Sequence, residues 1–329
     1  MAILVAGGAG YIGSHTVQEL LDAGKDVVII DSLEYGHKKA MLANKFYQGS
    51  IADAALLKRV FSENSIDAVM HFCAYIEVGE SVTNPQKYYK NNIIGGLTLL
   101  EAMLAANVKK FVFSSTAAVF GQPETVPITE NERTAPTNPY GETKLAFERI
   151  LKWYGEAYGL NAVVLRYFNA CGAHEKGHIG EDHTPESHLI PLILQVPLGK
   201  RPSIKIFGDD YPTKDGSCVR DYVHVSDLAS AHVLAVNHLL SGGENRTYNL
   251  GNGVGFSVKE VIAIAREVTG HAIPAETVAR RAGDPATLVA GSDKVKKEFG
   301  WKPRFHDLKT IIGSAWNWHK NNPKGYNDR

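Results

Sequence analysis

The apolar run at residues 3–6 passes directly into "GGAGYIG", and a helical pattern follows over residues 11–23. No other feature constrains the fold as tightly. Gly7, Gly10 and Gly13 fall in the spacing G-x-x-G-x-x-G. Glycine lets such a turn adopt positive φ and lets its backbone approach a pyrophosphate, whose charge the helix N-terminus stabilises. Asp31 closes the second apolar run, residues 27–30, at the distance where an acid meets the adenosine ribose hydroxyls of a dinucleotide. Its charge would repel a ribose 2′-phosphate, and the basic residues of "SLEYGHKK" come only further downstream, so the pattern favours NAD over NADP. A bare glycine triplet could equally be a ligand-free helix entry; the strand before it, the helix after it and Asp31 favour the dinucleotide.

Strand-sized runs continue at residues 68–72, at 111–114 and in "NAVVLRYF", with helical patterns between them, including a long one over residues 85–107. This alternation predicts an α/β protein built on a doubly wound parallel sheet, Rossmann-like, with helices on both faces. After Asn169 the stretch "ACGAHEKGHIGEDHTPESH" has no period and predicts a loop-built lobe. Two strand–helix units follow in "RDYVHVSDLASAHVLAV", with Ser226 as the predicted N-cap, and in "TYNLGNGVGFSVKEVIAIAREV". The expected division is an NAD-binding Rossmann-like domain over residues 1–170, joined by about 219–250, and a smaller mixed α/β lobe from 171–218 and 251–329.

The 329 residues suffice for two such units. Lys plus Arg and Asp plus Glu both number 35, so no basic excess draws the chain to nucleic acid or to a membrane surface. The apolar runs fall well short of the roughly 20 residues of a membrane helix. "MAILVAGGAG" lacks the cationic lead of a signal peptide, so a cytoplasmic location is expected. Cys73, Cys171 and Cys218 are odd in number and widely spaced; they read as core residues rather than a disulfide framework.

In "NPYGETK", Asn138 reads as an N-cap and Pro139 as the first helical residue, which puts Tyr140 in the opening turn and Lys144 one turn later on the same face. Helix dipole and ammonium both favour an ionised phenol. Bringing a tyrosine pKa from about 10 to near 7 takes roughly 4 kcal/mol. A cation about 4 Å away supplies up to ~4 kcal/mol at an effective dielectric of 20, and an oxidised nicotinamide ring would add to it. Tyr140 is therefore a candidate general base. Y-x-x-x-K alone could be a surface pair, but "FVFSSTAAVFG" places the hydroxyls of Ser114, Ser115 and Thr116 at the carboxyl end of a strand, the edge where open α/β sheets bind ligands.

Together "GGAGYIG", Thr116 and "YGETK" resemble the extended short-chain dehydrogenase/reductase family. "HFCAYIEVGESV", "LRYFNACGAH", "IFGDDYPTKDGSCVRDYVHVSDLA" and "RRAGDPATLVA" extend the resemblance over nearly the whole chain to the nucleotide-sugar epimerases of that family. The resemblance implies an enzyme that interconverts UDP-galactose and UDP-glucose at carbon 4 through a 4-keto intermediate, with hydride passing to bound NAD and back. It implies Tyr140 as base, Lys144 on the nicotinamide ribose and Thr116 hydrogen-bonded to the reacting oxygen. Gly7, Gly10, Tyr11, Ile12, Gly13 and Asp31 would hold the pyrophosphate and adenosine, Ser50 and Ile51 would lie by the adenine, and Phe72, Asn91 and Phe168 would lie along the cofactor. The smaller lobe would bind the nucleotide sugar, with Arg220 and Arg281 on the diphosphate. Asn169, Leu189, Phe207, Tyr222 and Asp284 would surround the nucleotide, and Leu288 would face the 2-substituent of the sugar. A firm hold on the nucleotide and a loose one on the hexose would let the ring turn over. A homodimer is implied as well.

Ser50 stands where the family usually has an acid before the isoleucine, and Ile76 where some members carry lysine. Leu288, of medium size, is expected to disfavour N-acetylated sugars without excluding them. A 4,6-dehydratase would need carboxyl groups directly after Thr116, where Ala117 and Ala118 stand. A non-catalytic NAD-binding regulator would have no use for a tuned phenol. His174, His178, His183 and His188 with Glu181 and Asp182 could ligate zinc, yet their spacing follows no tight motif and hydride chemistry needs no Lewis acid, so no metal is expected.

Overall fold

The structure is a computed structural model that describes residues 2–281 and 283–328. Strands β1 (Ala2–Ala6), β2 (Asp26–Asp31), β3 (Lys45–Gln48), β4 (Ile66–His71), β5 (Lys110–Thr116), β6 (Asn161–Tyr167) and, after three strands of the second lobe, β10 (Arg246–Leu250) form one parallel seven-stranded sheet. Its order is β10-β6-β5-β4-β1-β2-β3, so the winding reverses between β1 and β4. A crevice for ligands opens at the carboxyl ends of the strands at that reversal. Sequences such as "AILVA" and "DVVIID" are almost wholly buried, as a parallel sheet covered on both faces requires.

One face carries α1 (Tyr11–Asp22) and the later α8 (Val225–Leu240), packed over Ile3, Val5, Leu228 and Tyr248. The other face carries α2 (Ala54–Glu63), α5 (Gly96–Ala105) and α6 (Pro139–Tyr158) over Leu4, Leu57, Leu99, Phe113 and Phe147. The helical pattern of residues 85–107 is observed over Pro85–Ala105, with a local change of type: after α3 (Val78–Thr83) come α4 (Pro85–Tyr88), a π-helical stretch, Tyr89–Gly95, and α5, joined through residues of helical backbone angle. A widened turn of this kind recurs at functional sites. Here it lets Asn92 accept from the Tyr75 N–H (3.0 Å) and donate to the Thr143 hydroxyl (3.1 Å), which pins the stretch to α6.

In the second lobe β9 (Val219–His224) pairs with β7 (Asn169–Cys171) and β13 (Thr287–Leu288) in parallel and with β11 (Gly255–Ser257) antiparallel. A separate parallel pair joins β8 (Ile204–Phe207) to β12 (Ala275–Val278). Helices α7 (Leu189–Leu194), α9 (Val258–Thr269) and α11 (Leu308–Asn321) share a core around Ile193, Val261 and Ile312. The short α10 (Asp293–Phe299) packs back on β10. The chain therefore alternates between lobes: β9 belongs to the second sheet, whereas α8 and β10 complete the first.

Two local expectations are corrected. The N-cap of α8 is His224, not Ser226: the imidazole Nδ1 accepts from the Ser226 N–H at 3.1 Å, because α8 starts two residues earlier. Strand β3 went unforeseen; "KFYQ" is a half-exposed edge strand with no continuous apolar run.

Candidate active site

The glycine turn lies between the end of β1 and α1. Gly7 has φ +86, and a Cβ there would stand 2.7 Å from the Cys73 amide nitrogen; a Cβ on Gly13 would collide with the Gly7 carbonyl. Gly10 is the N-cap of α1, without a side-chain cap bond and with no acid in the first turn, so the positive end of the helix is left for an anion. The Asp31 carboxylate accepts the N–H groups of Ala9 and Leu33, both at 2.9 Å, and so ties the turn to the end of β2. A cradle that only glycine can form, at a helix N-terminus and next to an acid, fits the pyrophosphate and ribose of NAD.

The other cofactor candidates line the same edge or support it. Phe72 continues β4 and donates its N–H to the Ala6 carbonyl at 2.7 Å, beside Gly7. The Asn91 amide donates to Asn92 Oδ1 (2.9 Å) and reaches the Cys73 carbonyl at 3.5 Å. Ile51 is buried against Gly95, Ile12 packs on the core of the sheet, and Phe168 is buried with Ala117 and Leu145. Ser50 is exposed, and its hydroxyl accepts from the Ala52 N–H at 3.1 Å. The Tyr11 hydroxyl donates to the Gly172 carbonyl (2.7 Å), which ties the first turn of α1 to the other lobe.

Helix α6 begins as its sequence requires: Asn138 Oδ1 accepts from the Gly141 N–H at 2.9 Å, and Pro139 occupies the first turn. Tyr140 is 8% exposed, and the Thr116 side chain at the end of β5 favours its ionised form. Thr116 Oγ1 accepts from the Ala118 N–H (3.1 Å), so its own proton remains to donate. Lys144 Nζ donates to the Ser114 carbonyl at 2.8 Å. Burial pushes the Tyr140 phenol up to about 12 against the pull of Thr116, and burial also brings the Lys144 ammonium down to about 8. The expected acidification of Tyr140 is thus absent in the chain by itself, because loss of water around the ring outweighs what its neighbours provide.

Several supporting residues escaped sequence reasoning. Gly141 lets α6 approach the Ala118 carbonyl, which a Cβ would meet at 2.7 Å. Ser115 donates to Glu148 (2.5 Å), and Glu148 in turn pairs with Arg166 (2.6 Å), locking β5 and β6 to α6. Only the Gly in "YGETK" offered a signal; the others are ordinary polar residues in apolar runs.

The register of β9 gathers the nucleotide candidates. Leu288 lies opposite Arg220, and Asn169 opposite Tyr222, with the Asn169 amide donating to the Asp221 carbonyl at 2.9 Å. Arg220 pairs with Asp284 at 3.0 Å. The Arg281 guanidinium sits 3.9 Å above the centre of the Phe207 ring, a cation–π contact at the end of β8. Leu189 opens α7 and packs on the core that contains Tyr222. Beneath them Asp221, fully buried, accepts from the N–H groups of Asn252 (2.8 Å), Gly253 (2.9 Å) and Ala290 (3.1 Å). Nothing in "RDYVH" marks it for that role.

The histidine-rich loop divides. The rings of His174 and His178 lie 4.4 Å apart, and Asp182 accepts from the Tyr326 N–H, whereas Glu181, His183, Glu186 and His188 converge at a separate point.

A glycine cradle at the reversal point of a doubly wound sheet, with a tyrosine, a lysine and a threonine at its mouth, defines a Rossmann-type enzyme of dinucleotide-dependent chemistry. Residues 3–251 match the NAD dependent epimerase/dehydratase family, and the chain belongs to that family. It is 59% identical over 326 residues to a UDP-glucose 4-epimerase of Halalkalibacterium halodurans, which covers 99% of this chain and 98% of that one. A crystal structure of a UDP-glucose 4-epimerase superposes with a TM-score of 0.97 at 55% identity, covering 99% of both chains. Another, from Bifidobacterium longum in complex with NAD+ and UDP, superposes with a TM-score of 0.94 at 43% identity, covering 99% of this chain and 100% of that one.

Proposed function

We propose that this chain interconverts UDP-galactose and UDP-glucose by inverting carbon 4 through a 4-keto intermediate. The observation that carries the reading is the buried Tyr140 phenol beside Thr116 and one helical turn from Lys144, in a chain that aligns end to end with UDP-glucose 4-epimerases. Bound NAD supplies a reversible hydride acceptor. Tyr140 Oη takes the proton of the carbon-4 hydroxyl as that carbon is oxidised, and returns it when the opposite face is reduced. Thr116 Oγ1 donates to the reacting oxygen. Lys144 favours the phenolate through its charge and holds the nicotinamide ribose. The backbone of the Gly7–Gly13 turn and the positive end of α1 hold the pyrophosphate, while Asp31 takes the adenosine ribose. Arg220 and Arg281 neutralise the diphosphate of the substrate, and Asn169, Phe207, Tyr222 and Asp284 shape the nucleotide slot. Because that hold is on the part that does not react, the hexose is free to turn over between the two half-reactions.

In this reading residues 1–170 with about 225–250 form the NAD-binding part and 171–224 with 251–329 the nucleotide-sugar lobe; the return to the first domain comes later than the expected 219 because β9 pairs in the second sheet. The active form is a homodimer: Val82 (61% exposed), Ile94 (57%) and Trp153 (63%) protrude from mutually packed elements on one side of the large sheet. A cytoplasmic setting suits the three free cysteines. The test is to incubate purified protein with UDP-galactose and no added NAD. UDP-glucose is the expected product. A 4-keto-6-deoxy sugar would make the chain a dehydratase, and no conversion would make it a binding protein.

A further inference from the structure

The loop between β7 and α7 directs one ligand atom from each of Glu181, His183, Glu186 and His188 toward a common point, all within 4.8 Å of one another. His183 Nδ1 is 3.3 Å from Glu181 Oε1 and 3.6 Å from Glu186 Oε2; His188 Nδ1 is 3.1 Å from Glu181 Oε1 and 2.9 Å from Glu186 Oε1. Nitrogen and oxygen ligands about 2.0–2.2 Å from a tetrahedral zinc ion stand about 3.3–3.6 Å from each other. The observed separations bracket that range, so small side-chain adjustments would bring one atom of each residue to a common ion.

Hydrogen bonding does not account for the arrangement. Glu181 is 4% exposed, yet its Oε1 and the buried His183 Nδ1 have no hydrogen-bond partner of acceptable geometry among the described residues, although they face each other. The hydrogen bonds of the cluster all fall on Glu186 Oε1, which accepts from the N–H groups of Ser187 and His188 (both 2.7 Å) and lies 2.9 Å from His188 Nδ1, so they leave Glu181 Oε1 and His183 Nδ1 unserved. Buried polar atoms left in this state normally have a partner in the functional molecule. A dication at the shared point would satisfy both atoms and would balance two carboxylates and two neutral imidazoles.

We propose that Glu181, His183, Glu186 and His188 bind one divalent transition-metal cation of the zinc type. Two imidazoles exclude the all-oxygen preference of magnesium and calcium. With four protein ligands the site is closed, hence structural rather than catalytic. His183 lies 6.0 Å, ring to ring, from Tyr11 at the start of α1, and His188 is the N-cap of α7, where Leu189 begins. The ion would therefore staple the loop between the cofactor-side helix and a nucleotide-side helix, whatever reaction the site performs.

The test uses full-length untagged protein, stripped with EDTA and titrated with ZnCl2 by calorimetry. One zinc per chain and a raised Tm are expected. Co2+ in place of zinc should give the intense visible absorption of a four-coordinate ion. The double variant His183→Gln/Glu186→Gln should lose stoichiometric binding, while His174→Gln/His178→Gln should keep it. Absence of binding by the wild type, or a weak six-coordinate Co2+ spectrum, overturns the site. So does loss of binding in the His174→Gln/His178→Gln protein alone. The cobalt spectrum of the wild type decides the matter even where a variant fails to fold.

Discussion

Lys144 Nζ lies 6.0 Å from the centre of the Tyr140 ring and is anchored to the Ser114 carbonyl at 2.8 Å. The cation is fixed by the end of β5 rather than by the phenol, so in the proposed reaction it would act on Tyr140 through space. Without ligands burial keeps the phenol at about 12, with only Thr116 pulling the other way. Tyr140→Phe preserves ring packing but removes the proton acceptor; kcat should fall about 10²–10⁴-fold with circular dichroism and bound NAD unchanged. A variant turning over at near the wild-type rate would dismiss Tyr140 as the base.

Lys144→Met tests the field itself. The reaction needs phenolate, so the rate rises with pH until the phenol is ionised; removing a positive charge raises that pKa and moves the rising limb to higher pH. The kcat–pH profile is the measurement. A limb that stays in place would mean that Lys144 only binds ribose.

Gly7→Ala forces a Cβ onto the Cys73 amide at φ +86. It should cost about 1–3 kcal/mol of stability and strip NAD, seen as a lower Tm and a lower ratio of absorbance at 260 to 280 nm. Gly24→Ala is the control: φ is +69, but nothing lies within 4 Å of the added Cβ. It should cost about 1–2 kcal/mol and leave NAD in place.

Leu288 sits in register with Arg220 on the end strand β13 and packs, partly buried, on the cluster that contains Phe168 and Ala290. Leu288→Tyr should cut turnover of UDP-GlcNAc at least about tenfold relative to UDP-glucose, the size of a steric penalty of about 1.4 kcal/mol. Equal UDP-GlcNAc rates in the two proteins would remove Leu288 from the determinants of specificity.

Burial drives His15, His71 and His224 down to about 3 and His232 to about 4. These rings stay neutral in the fold and take up protons on unfolding below about 6.5, so stability is full above that pH and falls as pH drops toward 4. His71 is ringed by Phe111, Phe113 and Phe147 at 5.9, 5.6 and 5.7 Å, and neither of its nitrogens has a hydrogen-bond partner among the described residues. His71→Phe should lower the proton uptake on unfolding by about one, read as a shallower dependence of Tm on pH. An unchanged slope would show that His71 does not contribute.

What the sequence determined by itself was local. The strand, glycine turn and helix at Gly7–Gly13, and the entry to α6 through Asn138, Pro139 and Tyr140, depend on backbone sterics and capping within a few residues, so their spacing alone suffices. The periods of the apolar runs likewise specified a covered parallel sheet. Edge strand β3, half-exposed, carried no such period, and the π-helical turn at Asn91 and Asn92 depends on contacts with Tyr75 and Thr143 far along the chain. Only the tertiary structure decided the rest. Asp221 meets the amide of Ala290 69 positions away, and Tyr11 meets Gly172 161 positions away. The Glu181–His188 ligands are close in sequence, yet it is the course of the loop that turns them to one point while sending His174 and His178 elsewhere. Side chains converge through packing and topology, which spacing along a chain does not encode.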